Sequence, residues 1–328
     1  MNSLMPHFHS SRKSSDRFRI LMDFALLVEQ ALNGIQLGLL LFLLAAGLTL
    51  VFGIMDFVNL AHGSFYMIGA FLFASIFNWT DSFILGIVLG LPATLVVGII
   101  TEMICLRTLY TRDHLDQVLA TFGLILFFNQ LVQIIWPLDG IAVPMPAFLD
   151  GSVNLGLGIE YPVYRIMIIT SGLAVAAGMY FLVVRTRLGM LIRAGASNRT
   201  MAGALGVDIK LLFSCVFGLG AALAGLAGML ITPIISATSG MGEQILITAF
   251  VVIVIGGIGS IRGAFIAAII AGLIDTLGRS FLDVILLVFL PANAAEAAGP
   301  ALSSMLIYIL MAAVLFFRPL GLFPPMRR

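Results

Sequence analysis

A chain of 328 residues that is 61% hydrophobic and 10% charged, whose net charge of +1 hides basic residues confined to some loops, does not imply nucleic acid. Its mean hydropathy of +1.13, with repeated apolar runs of about 20 residues, defines an all-α, polytopic transmembrane helical bundle. Those runs consume most of the chain, so no separate soluble domain fits beside them.

Residues 1–21 are polar, Ser-rich and basic, and read as a disordered tail or as a mis-assigned start. Met22 opens a clean second start, MDFALLVEQALNG. Residues 22–328 then form the transmembrane domain. Spans are predicted near 31–52, 63–78, 83–106, 118–136, 163–184, 211–231, 245–258, 263–283 and 301–317, giving eight to nine crossings with interrupted helices among them. The loop holding Arg107 and Arg112 and the C-terminus with Arg318, Arg327 and Arg328 are basic, whereas 137–162 has Asp139, Asp150 and Glu160 and no Lys or Arg. The first two are therefore cytoplasmic and the third is outside. Counting back puts the N-terminus outside, which conflicts with Arg12, Lys13, Arg17 and Arg19. Either one of the first segments does not cross, or the chain starts at Met22, which removes the conflict.

The stretch GIMDFVNLAHGS, 53–64, interrupts the apolar pattern. A helical continuation would place Asp56, Asn59 and His62 on one face, turned to a cavity or a partner helix, because polar groups are costly in lipid. The other reading makes 53–64 a short aqueous loop that caps its neighbouring helices. Glu102 falls near the cytoplasmic end of its span and reads as a snorkelling or capping residue. Asn129, Gln130 and Gln133 supply hydrogen bonds between helices or line a polar path. Cys105 and Cys215 read as small core residues.

Arg185 to Lys210 gathers Arg185, Arg187, Arg193, Arg199 and Lys210 against the single acid Asp208. It is a cytoplasmic loop. Within it, Ser197 or Asn198 can cap a short helix that carries Met201, Ala202 and Leu205 on one face and stops at Gly206. FGLGAALAGLAGML, 217–230, is a close-packing face of small residues, inside the subunit or between subunits. IGGIGSIRGAF fails GxGxxG because Arg262 stands where the last Gly belongs, so it reads as a tight cytoplasmic turn. Asp275, Arg279 and Asp283 then form one charged stripe, with Asp275 roughly 18 Å up the helix from Gly263.

No GxxxxGK[ST], GxSxG, CxxC or HExxH occurs, so neither a P-loop ATPase nor an enzyme reading has residues to stand on. What remains is a membrane conduit with a docking loop and no motor.

Three separated stretches carry a resemblance: NGIQLGLLLFLLAAGLTLVFGIMDFVNLAHGSFYMIGAF, RAGASNRTMAGALGV and GGIGSIRGAFIAAIIAGLID. From about residue 22 to the C-terminus the chain resembles the branched-chain amino acid ABC-transporter permeases of the LivH type. The resemblance implies a bacterial inner-membrane subunit that pairs with a second related permease, two cytoplasmic ABC ATPases and a periplasmic solute-binding protein. ATP and Mg would be bound by those ATPases, and this chain would hold no cofactor. It further implies that Arg193 through Val207, within the loop 185–210, acts as the coupling helix, with Arg193, Ala196, Ala202, Leu205 and Gly206 matching the pattern; beside them Arg199 reads as part of a charged rim that meets the ATPase. Ser197 and Asn198 stand where relatives usually carry an acidic residue. The translocation path would use Asp56, Asn59, His62, Asn129 and Asp275. The alternatives are a proton-coupled secondary transporter, suggested by Asp56, His62 and Asp275, and a membrane anchor without a conduit.

Overall fold

Small residues decide how this bundle closes. The computed structural model describes residues 8–156 and 158–323. Its helices are α1 (Phe8–Met55), α2 (His62–Thr80), α3 (Phe83–Thr101), α4 (His114–Ile135), α5 (Val163–Arg185), α6 (Arg187–Ser197), α7 (Arg199–Ala204), α8 (Ile209–Ile231), α9 (Met241–Gly256), α10 (Ile261–Leu286) and α11 (Ala292–Phe317). A hairpin pairs β1 (Ser152–Asn154) antiparallel with β2 (Glu160–Pro162), Val153 opposite Tyr161.

All nine predicted segments are helical. Seven are long and apolar enough to cross a membrane, and α2 and the 16-residue α9 fall outside that set. The apolar, membrane-length part of α1 starts at Phe24. Of the predicted tail, residues 1–7 lie outside the described residues and the rest begins α1. Arg327 and Arg328 also lie outside the described residues.

Helices α1 and α8 are central, with 83% and 78% of their apolar windows buried, against 17% for α5 and 11% for α11. The peripheral helices therefore turn their Leu, Ile and Phe side chains outward, as a lipid-facing surface requires. Cys105 and Cys215 belong to that outer surface: both are free and exposed, not core residues.

The small-residue run of α8 packs within the subunit. Gly220 meets Gly47 of α1, Gly225 meets Gly69 of α2 and Ala221 meets Gly98 of α3. A β-carbon on Gly69 would lie 2.3 Å from the Gly225 Cα, so the backbones approach as small-residue helix pairs do. A second close approach joins the starts of α2 and α9, where a β-carbon on Gly63 would lie 2.1 Å from the Gly242 carbonyl oxygen. Backbone cannot rotate away. Gly63→Ala should therefore cost about 3 kcal/mol, the upper range for overpacking, read as a lower melting temperature in detergent. Gly123→Ala, in the interior of α4 with nothing within 4 Å of the added carbon, should leave that temperature the same or higher.

The two ends of the bundle differ. At one end Gly53 packs on Gly259, Ser260 Oγ accepts from the Gly263 amide at 3.1 Å, and the Leu322 and Phe323 amides donate to the Ile255 and Gly256 carbonyls at 2.8 and 3.0 Å. IGGIGS is thus a tight turn, with Gly257 and Gly259 at positive φ. At the opposite end, Ile141 bridges Ala237, and the Tyr161 hydroxyl and Arg165 both donate to Asn33 Oδ1.

Candidate translocation and coupling site

Helix α1 ends at Met55 because Asp56 takes a left-handed conformation, φ 48°. Residues 56–61 then fold back into the bundle. Two side chains of α4 hold them there: Gln117 Oε1 accepts from the Val58 amide and Thr121 Oγ1 from the Leu60 amide, both at 3.2 Å. His62 starts α2 with its ring beside Gly47, where a β-carbon would lie 2.9 Å from Nε2. Gly47 precedes the end of α1 by about two turns, so α2 begins roughly 12 Å inside the bundle.

This geometry corrects the single polar face. Asp56 is exposed at the break, while Asn59 and His62 are fully buried. An aqueous capping loop is equally inconsistent with that burial. Among the described residues, both polar atoms of the Asn59 side chain have no hydrogen-bond partner, and the His62 ring has at most a poorly aligned contact with the Leu44 backbone. Such groups are costly inside a protein and are concentrated where function requires them.

A second polar cluster lies at the basic end. The chain leaves α3 through a π-turn, Glu102–Leu106, and a 3₁₀ turn, Arg107–Leu109. Such irregular turns re-aim side chains. Here they return Arg107 and Tyr110 to Glu102. Glu102 is completely buried and accepts from Arg107 Nε at 3.2 Å and Nη2 at 2.9 Å, from Ser214 Oγ at 2.6 Å and from the Tyr110 hydroxyl at 3.0 Å. The snorkelling reading of Glu102 is therefore wrong: it is a buried charge with a full set of donors. Burial first, and the Glu102 charge second, push the Tyr110 phenol well above its usual range, so it stays a neutral donor.

At the same end α6 and α7 fold as a helical pair. Asn198 Oδ1 accepts from the Met201 amide at 2.9 Å and caps α7, and Gly206 closes it at φ +90°. The expected face is divided. Ala202 is buried against the chain, whereas Met201 is 58% and Leu205 79% exposed. Arg193 donates to the Val183 carbonyl and Arg199 lies over the Phe213 ring, 5.5 Å from its centroid. Ala196 and Gly206 are exposed.

Toward the opposite end, α1, α2, α9, α10, α11 and the loop before α9 line a half-open cavity of about 770 Å³ with Leu37, Leu41 and Ile307 on its apolar wall. Asp275 and Arg279 line it as a two-bonded ion pair, both contacts 3.0 Å, and Glu243 lines it too. Asn129 reaches the cavity indirectly, donating to Glu243, and Gln133 donates to Ser239 at 3.0 Å. Asp56, Asn59 and His62 are not among its lining residues, and Asp283 packs instead against Gly299. Sequence reasoning missed Glu243. Its only signal was an acid in an otherwise apolar helix after a Ser- and Gly-rich turn.

Among the described residues seven helices are of membrane length, α1 of the broken pair included, which makes the chain a multi-pass membrane protein with a charged cavity toward one end. The chain belongs to the permeases of branched-chain amino acid ABC transport: the family model for the branched-chain amino acid transport system permease component matches residues 30–315. Among curated relatives, the high-affinity branched-chain amino acid transport permease BraD of Pseudomonas aeruginosa is 29% identical, over 90% of this chain and 95% of its own. The corresponding LivH permease of Escherichia coli K12 is 30% identical over 80% of this chain and 89% of its own. The probable LivH permease of Methanocaldococcus jannaschii is 28% identical over 86% and 88%. No solved structure gives a significant match.

Proposed function

We propose that this chain is the transmembrane subunit of an ATP-driven importer that carries small apolar amino acids across a bacterial inner membrane. It works by alternating access, with eight or nine segments entering the bilayer. Its partners are a second related permease, two cytoplasmic ATPases that hold ATP and Mg, and a periplasmic binding protein. The observation that carries this reading is α7, a capped short helix at the basic end that keeps Met201 and Leu205 out of its own core. An apolar pair displayed in the same segment as Arg185, Arg187 and Lys210 fits a partner groove with an acidic rim. Ala202 seats the helix and Arg193 and Arg199 brace it.

The cavity at the far end supplies the solute route. Glu243 suits an ammonium, Arg279 a carboxylate, and Leu37, Leu41 and Ile307 an apolar side chain. In proteoliposomes holding the whole complex, Arg279→Ala should raise the KM for radiolabelled leucine about tenfold, the low end for losing a charge-assisted hydrogen bond. Glu243→Gln should act in the same direction. An unchanged KM in both variants would remove the cavity from the route. A proton-coupled transporter would instead show uptake abolished by a protonophore and indifferent to ATP.

A further inference from the structure

Three aromatic rings join the docking helix to the broken helix, and none of them belongs to the cavity. Arg199 of α7 stacks over Phe213 of α8 at 5.5 Å. Phe213 meets Tyr110 edge to face, 5.3 Å between centroids at 87°. Tyr110 in turn meets Phe57 at 5.5 Å and 88°. Phe57 is completely buried inside the α1–α2 break, next to the left-handed Asp56 and just before Asn59 and His62.

We propose that Tyr110 is a positioning residue that transmits displacement of α7 to the α1–α2 break. The proposal rests on the permease reading above. Its parts have the required properties. Edge-to-face ring pairs have a preferred geometry, so shifting one ring drives its neighbour instead of sliding past it. Glu102 holds both the Tyr110 hydroxyl and Ser214, the neighbour of Phe213, which keeps the two rings in register. The break is the element with a reason to move: the unpartnered side chain of Asn59, beside the poorly partnered His62 ring, favours any second arrangement that satisfies it. A two-state element biased from the docking end is what coupling physically requires.

The test uses the complex purified through this chain, reconstituted with its binding protein, and reads amino acid transported per ATP hydrolysed. Tyr110→Leu removes both ring contacts and should lower transport about tenfold while hydrolysis stays near the wild-type rate, within the range found for coupling residues. Tyr110→Phe keeps the rings and should restore transport to within about threefold of wild type. Phe57→Leu, at the far end, should uncouple in the same way, and the double variant should be no worse than the worse single one. Parallel losses of transport and hydrolysis, additive losses in the double variant, or an unchanged ratio would each overturn the proposal. So would failure of both single variants to assemble, which would make the rings structural. A wild-type complex without ATP-dependent uptake would instead defeat the permease reading itself.

Discussion

Glu102→Ala is expected to destabilise the folded chain by about 2 kcal/mol, within the range for leaving buried hydrogen-bonding groups unsatisfied. The carboxylate is fully buried and four donor contacts converge on it from Arg107, Ser214 and Tyr110. Without it the Arg107 guanidinium, whose side chain is only 30% exposed, loses its counter-charge. The two hydroxyls lose their acceptor as well. Glu102→Gln keeps the shape and one acceptor oxygen, so its effect should be roughly half as large. Thermal unfolding followed by size exclusion in detergent gives the ordering. Equal stability of Glu102→Ala and wild type would contradict the assignment of this cluster as the clasp between the end of α3 and the start of α8.

Leu205→Asp is expected to leave folding intact and to weaken ATPase docking about thirtyfold, the factor for a hot spot worth about 2 kcal/mol. The side chain is 79% exposed, so the aspartate meets water in the free subunit and an apolar groove in the complex. Ala202→Asp is the matched contrast. Ala202 is 4% exposed, so an aspartate there should lower the melting temperature of the subunit itself. Co-purification and melting measured on both variants separate docking from folding. Leu205→Asp with wild-type ATPase recovery would show that α7 docks through other residues.

Much of this was legible from residues alone. Apolar runs marked nine of the eleven helices, seven of them long enough to span lipid. The Asn198 to Gly206 spacing marked a capped short helix, and the paired glycines of IGGIGS marked a turn. What stayed hidden depended on contacts distant in sequence. Ser214 lies 112 positions from Glu102, so a carboxylate near a span end looked solvated. Met201, Ala202 and Leu205 belong to little more than one turn, too short for periodicity to reveal which side faces the protein. The break was visible in its glycines, but its return into the bundle depends on Gln117 and Thr121 of α4. The cavity draws Leu37, Glu243, Asp275 and Ile307 from four separate helices, and no local pattern joins them. The hairpin at 152–162 pairs strands of three residues each, too short for a period of two to be read from the residues.

The central claim is that this subunit borrows its motor. Affinity purification of the tagged chain from its native membrane in mild detergent tests it directly. Recovery of a second permease and P-loop ATPases, with the ATPases lost on Leu205→Asp, is the predicted result. Recovery of the chain alone, still able to drive uptake after reconstitution without ATP, would contradict it.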